Sequence, residues 1–262
     1  MRIAITRGIS ESIGHCELSY QAREPIALDR ARAQHRKYEE CLESLGCAVQ
    51  RLPGEPQFPD SVFVEDAAVV LDELAVITRP GAESRRGETV SVAQALRPHR
   101  RLAHIVAPGI LDGGDVLCLD RRLFVGLSRR SNVAAVEQMS KLLAVRGYTV
   151  TGVQVKGCLH LKSAVTQVAE DALLMNPDWI DGGPFRSMRR IEVDPGEPFA
   201  ANALMTGGAV MFPASFTATR KRLEAAGINV IPVDVTELAK AEGGVTCCSL
   251  IFSTTEIAVR PS

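Results

Sequence analysis

Two adjacent cysteines, Cys247 and Cys248, follow Gly243-Gly244 and precede the apolar run Leu250-Ile251-Phe252. The glycines permit close backbone approach or positive φ, and the apolar run reads as a buried strand. A thiol at the mouth of such a strand is either a presented nucleophile or, more blandly, a small buried hydrophobe. The choice turns on whether the chain supplies the partners a thiolate needs. The run Asp60-Ser61-Val62-Phe63-Val64-Glu65-Asp66 brings three carboxylates among apolar residues. Read as a strand, its alternation puts Asp60, Val62, Val64 and Asp66 on one face and Glu65 on the other. Either these acids flank the strand in solvent, or they are buried and need a cation. A guanidinium suits them better than a metal, because its planar fork matches carboxylate oxygens. Leu111-Asp112-Gly113-Gly114-Asp115 sets two further acids about a Gly-Gly turn, and His160 stands between Leu159 and Leu161. A lone histidine there is a satisfied core or surface residue, or else a base. Cysteine, histidine and a carboxylate brought together would make a nucleophile, an acid/base and an orienting group. Ser84-Arg85-Arg86 and Ser128-Arg129-Arg130 recur at equivalent points after strand ends. They are ordinary solvated arginines or a rim that recognises an anion such as an α-carboxylate.

The elements that must position these residues repeat along the chain. Helices ending at Gly46, Gly147 and Gly227 each lead into a strand, with glycine in the C′ position. Helical period places Leu28, Ala31, His35, Tyr38, Leu42 and Leu45 on one face, and Val133, Val136, Met139 and Leu143 on another. Pro25 suits a first-turn position and Ser131 or Asn132 an N-cap. Five strand–turn–strand units are visible. Their first members include residues 61–64 and 67–70, 115–119, 164–168, 203–205 and 249–252, and the last turns into 257–259. A polar residue opens each: Asp60, Asp112, His160, Asn202 and Cys247, spaced by 52, 48, 42 and 45 on subtraction of their positions. Set about a common axis, these openings would meet in one central pocket. The N-terminal strand, Ile3 to Gly8, would close the ring with the last unit. The fourth segment, with Gly182-Gly183-Pro184, leaves little room for a helix. No linker interrupts the chain, so residues 1–262 read as one domain. Residues 8–24 lack period and read as a lid or as an ordinary surface loop.

Composition narrows the classes. Net charge is −1, which gives no bulk attraction to nucleic acid or an anionic membrane. No apolar run approaches a membrane span of ~18 residues, and no signal peptide opens the chain. Seven cysteines without C-x-x-C pairs suggest reduced cytoplasmic thiols and no structural zinc site.

Taken together, Asp60 to Asp66, Ile77 to Arg86, Leu111 to Val116, Gly126 to Arg130, Leu159 to Ser163, Ala200-Ala201-Asn202 and Thr246 to Ser249 resemble the dimethylarginine dimethylaminohydrolase family of the guanidino-modifying (pentein) superfamily. They run in family order over nearly the whole chain. The resemblance implies an α/β five-bladed ββαβ propeller around a central active-site pocket. It implies a hydrolase converting Nω-methylated arginines to citrulline and an amine through a covalent thiouronium on Cys247. His160 would be the acid and base, and Asp112 its orienting partner. Asp66 would pair the guanidinium, with Glu65 supporting the acidic cluster and Asp60 toward the α-amino end. Arg85 and Arg130 would take the α-carboxylate, and Leu18 and Ala241 would give backbone contacts. Glu242 stands where mammalian relatives carry Asp before Gly, so its reach to the guanidinium would differ. No metal or organic cofactor is implied. The expected partner is a small-molecule substrate, with no nucleic acid and no membrane, for a monomer or homodimer. Two other readings are arginine or agmatine deiminase of the same superfamily, and a non-catalytic thiol or zinc-binding protein. The latter leaves the acids and arginines unexplained.

Overall fold

The computed structural model describes residues 1–254. The expected second strand at 257–259 lies outside them. Strands β1 (Arg2–Arg7) and β2 (Cys47–Leu52) run parallel, joined by helix α1 (Leu28–Ser44). The same design then recurs. Strands β3 (Ala68–Val70), β4 (Leu74–Ile77) and β5 (Arg101–His104) form one sheet, with α2 (Thr89–Leu96) before β5. Next come β6 (Val116–Leu119), β7 (Arg122–Leu127) and β8 (Thr149–Gln154), with α3 (Val133–Leu143) before β8. A four-residue helix, α4 (Leu161–Ala164), leads into β9 (Val165–Ala169), β10 (Ala172–Met175) and β11 (Arg189–Glu192). Then follow β12 (Leu204–Thr206), β13 (Ala209–Pro213) and β14 (Val230–Val233), with α5 (Thr217–Ala225) before β14. The short α6 (Thr236–Ala239) precedes β15 (Leu250–Ser253), which pairs antiparallel with β1.

In all five three-stranded sheets the middle strand pairs antiparallel with one neighbour and parallel with the other. This is the ββαβ unit expected from the sequence. Only between β10 and β11 is the crossover reduced to the 3-10 turn Gly183–Phe185. The partner of β15 is β1, so the first strand completes the last unit.

The cores show how the units are joined. One apolar cluster unites Val69, Leu74 and Val76 with Val116, Leu123 and Met139. Others join Leu117 and Phe124 to Val165 and Leu173, and Val168 and Leu174 to Val210 and Phe212. Met211, Val233 and Leu238 pack on Tyr38, Leu42 and Cys248, while Ile3, Ile5 and Leu250 pack on Ala68, Ala75 and Ile77. Each cluster bridges two successive units, and the fifth returns to the first. Burial of apolar surface, the main favourable term in folding, therefore closes a ring.

Three local expectations fail. Residues 61–64 are not a strand: they turn, and Val64–Ala67 is a 3-10 helix before β3 begins. Its backbone is tied by Phe63 N–H to Asp60 O and Asp66 N–H to Phe63 O, so strand alternation does not apply. Helix α1 begins at Leu28, so Pro25 precedes its first turn. Val133 is 57% exposed at the start of α3, where Ala135 takes the inward place. By contrast, Gly46, Gly147 and Gly227 all have positive φ, and the Asn132 side chain caps α3 through Ala135 N–H.

Candidate active site

The polar residues that open the units are brought to one region, with different depths. His160, Asn202 and Cys247 line a cavity of about 410 Å³. Asp112 lies fully buried behind the histidine, and its Oδ2 is 3.0 Å from His160 Nε2. Gly81 N–H donates to Asp112 Oδ1, and Arg130 Nη1 reaches Asp112 Oδ2 at 3.4 Å. The other imidazole nitrogen, Nδ1, lies 4.0 Å from Asp66 Oδ1. Burial works against charge on His160, but Asp66, Asp112 and Asp115 outweigh it and raise its pKa to about 9. At neutral pH the imidazole is therefore an acid with a proton to give.

Asp66 is held the other way. Burial opposes its charge, yet His160 and Arg85 keep its carboxyl well below the usual range. It accepts from Arg85 Nη1 at 2.7 Å and from Gly114 N–H at 2.9 Å. Glu65, raised chiefly by burial and lowered in turn by Lys162, accepts from Lys162 Nζ at 2.5 Å and Thr246 Oγ1 at 2.8 Å. Glu65 N–H also donates to Cys247 O, which ties the acidic segment to the turn that carries Cys247. The three carboxylates are thus buried, as one of the two sequence readings required.

Cys247 is half-buried, and its Sγ accepts from Gly244 N–H at 3.3 Å. Burial first, then Glu65 and Asp66, push the thiol up to about 12. Without a further cation it stays protonated. Cys248 is fully buried against Gly244 O and belongs to the core beside Tyr38. All seven cysteines are free thiols.

The arginines correct a further expectation: they do not stand on a rim. Arg85 and Arg130 are 3% and 6% exposed. Arg85 donates to Asp66, to both oxygens of Glu88 and to the carbonyls of Asp60 and Phe63. Arg130 has one side-chain bond, to Asp112. Glu242 stands on the lining of the cavity that holds His160 and Cys247, and its carboxylate accepts from the backbone of residues 19–21. Asp60, buried and raised mainly by that burial, accepts from Glu17 N–H at 3.1 Å. Leu18 is half-buried against the core that also holds Ala241.

Several supporting residues carried no role in the sequence reading. Asp115 accepts from the hydroxyls of Ser128 and Ser131 and from Leu161 N–H, so it fixes the chain on both sides of the site. Burial raises its pKa to about 6, against His160 and those donors. Asn202 holds Thr246 through its backbone and hydroxyl. A second, larger cavity of about 770 Å³ meets Glu65 and Lys162 but neither His160 nor Cys247. Among the described residues, only Asp66, Asp112 and His160 are spaced to hold a metal ion. Arg85 and Arg130 already neutralise those two acids, so the donor set suits internal ion pairs better than a divalent cation. No helix among the described residues is long and apolar enough to cross a membrane.

Comparison with known proteins places this geometry. Residues 9–191 match the family described as "N,N dimethylarginine dimethylhydrolase, eukaryotic". An N(G),N(G)-dimethylarginine dimethylaminohydrolase of Pseudomonas aeruginosa is 34% identical over 225 residues, covering 85% of this chain and 89% of that protein. One from Streptomyces coelicolor is 36% identical over 248 residues, covering 94% and 95%. The structure of a cysteine-to-serine mutant of the Pseudomonas enzyme with citrulline superposes with a TM-score of 0.91 at 32% identity, over 95% of this chain and 98% of that one.

Proposed function

The chain belongs to the dimethylarginine dimethylaminohydrolase family, and on that premise we propose how its site carries the reaction. The protein is a dimethylargininase: it hydrolyses Nω-methylated L-arginine to L-citrulline and a methylamine. The observation that carries the reading is His160, bonded to Asp112 and raised to about 9, lining the same cavity as a cysteine whose burial and neighbouring acids oppose its ionisation.

A guanidinium supplies the missing positive charge. Set against Asp66, with Glu65 behind, it lowers the cost of a thiolate on Cys247 and holds its own carbon near the sulfur. As the guanidinium binds, the Cys247 thiol gives its proton to solvent, and the thiolate Sγ forms a bond to that carbon. The bond to the methylated nitrogen then breaks as His160 gives its proton to the leaving amine. A thiouronium remains on Cys247. Water adds to its carbon and yields a proton to the now neutral His160, which Asp112 keeps oriented. The C–S bond breaks as the adduct's hydroxyl becomes the urea carbonyl and its proton passes to the departing sulfur, so citrulline leaves and the thiol is restored.

The α-amino acid end lies toward the first and second units. Arg130, with most of its donors uncommitted among the described residues, takes the larger share of the α-carboxylate, and Arg85 assists. Asp60 and the backbones of Leu18 and Ala241 receive the α-ammonium. The test is citrulline released from asymmetric dimethylarginine against citrulline from arginine. Release from arginine alone moves the protein to the deiminases; release from neither defeats the hydrolase reading.

A further inference from the structure

Glu242 has no part in the steps above, yet its geometry is unusual. Among the described non-glycine residues only Asp120 and Glu242 have positive φ, and that of Glu242 is 56°. A β-carbon disfavours that backbone, so it persists where its surroundings over-determine it. The side chain crosses to the segment before α1. There Oε1 accepts from three successive amides: Ser19 N–H at 2.9 Å, Tyr20 N–H at 2.5 Å and Gln21 N–H at 2.8 Å. Such a convergence of amides is a backbone nest for an anion. The other oxygen, Oε2, is buried with no partner among the described residues, so every hydrogen bond that holds the carboxylate there goes to this segment.

The segment is tied on its other side as well. Glu17 N–H donates to Asp60 Oδ2 at 3.1 Å, and Ser84 Oγ donates to Glu17 Oε1 at 2.6 Å. Leu18 is therefore bracketed, with residue 17 held by Asp60 and residues 19–21 held by Glu242. Glu242 directly follows Ala241. One carboxylate thus links the segment of Leu18 to the residue after Ala241, the two backbone positions that the proposed binding mode gives to the substrate's α-ammonium.

We propose that Glu242 is a positioning residue that sets the α-ammonium subsite by locking Leu18 opposite Ala241. The proposal rests on the dimethylargininase reading. Charge matters to the lock, because a carboxylate binds amides about twice as strongly as a neutral acceptor does. Length matters too, because the acid must span from its own backbone to three amides.

The experiment compares wild type with Glu242→Gln, Glu242→Asp and Glu242→Ala. KM and kcat are measured for asymmetric dimethylarginine. Ki is measured for its deaminated analogue, which keeps the carboxylate and the dimethylguanidinium but has hydrogen in place of the α-ammonium. The analogue is read as a competitor, so it needs no turnover. Glu242→Ala should raise KM for dimethylarginine about tenfold, the scale of one charge-assisted hydrogen bond. Its Ki for the analogue should move less than about twofold, and Glu242→Gln should fall between wild type and Glu242→Ala. Equal losses for both ligands, or no loss for either, overturn the proposal. If Glu242→Ala does not fold, the isosteric Gln variant alone decides by the same comparison. Wild type without turnover of dimethylarginine would instead defeat the underlying reading.

Discussion

Cys247 keeps its proton up to about 12 while His160, lining the same cavity, keeps its own up to about 9. The free enzyme therefore pairs a neutral thiol with an imidazolium, the reverse of a pre-activated thiolate pair. The thiolate is the reactive form, and its fraction rises with pH below the pKa. Alkylation of the free enzyme by iodoacetamide should be slow near neutrality and climb about tenfold per pH unit past pH ~9. Peptide mapping should place the label on Cys247 and spare the buried Cys248. A plateau near pH ~7 would mean that the acids do not control the thiol. The arginines divide differently. Arg85→Ala strands Asp66 and Glu88 in the interior, and breaking a buried pair costs about 3–5 kcal/mol. Arg130→Ala breaks a single 3.4 Å pair to Asp112, which keeps His160 and Gly81 N–H as partners, so its melting temperature should fall less than that of Arg85→Ala and its main loss should be in KM for amino-acid substrates. Equal loss of melting temperature in both variants would contradict this division. The sequence could not show it. Arg85 and Arg130 occupy matching positions, and only the tertiary placement of Glu88 and Asp66 separates a structural guanidinium from an available one. Asn202 was legible as a residue opening onto the pocket, but the partners of Lys162, Asn202 and Thr246, and that of Asp115 at Leu161, were not, since each lies in another unit.

The Gly113-Gly114 turn is what lets the second unit approach the first. A β-carbon at Gly113 would sit 1.9 Å from Glu65 O, and one at Gly114 would lie 2.7 Å from His160 Nδ1. Neither contact can be relieved without moving the site. Gly113→Ala should lower stability by about 1–3 kcal/mol through overpacking and should reduce activity further by displacing Glu65. Gly14→Ala, with nothing within 4 Å of the added carbon, is the control. Thermal unfolding and turnover of both variants test this, and a Gly113→Ala enzyme like wild type in both would refute it. The helix stops at Gly46, Gly147 and Gly227 were legible because a left-handed C′ residue is a local requirement. The segment at 60–67 was not. Its valines and phenylalanine favour a strand locally, but the bond from Glu65 N–H to Cys247 O is made across units and overrides that preference.

Across the whole ring, the substrate must span several units. In the proposed binding mode its α-carboxylate lies by Arg130 in the second unit, its carbon faces Cys247 in the last, and its distal nitrogen points past His160. The cavity there is walled by Phe199, Pro213, Phe216 and Val235. Ser163, Ser215, Thr236 and Glu242 stand on the same lining, but the acceptors of the acidic cluster and Asn202 are engaged: Glu65 by Lys162 and Thr246, Asn202 by Thr246, and Asp66 by Arg85 and Gly114. An unmethylated distal nitrogen would have to compete for acceptors, whereas methyl groups meet the apolar walls. Nω-methylated arginines should therefore be preferred to arginine. An apolar slot earns only about 1–3 kcal/mol per methylene-sized group, so the preference should be roughly tens of fold rather than thousands. The measurement is kcat/KM for asymmetric dimethylarginine, monomethylarginine and arginine on one preparation. A higher value for arginine would show that acceptors do face the distal nitrogen, and Cys247, His160 and Asp112 would then serve a deiminase.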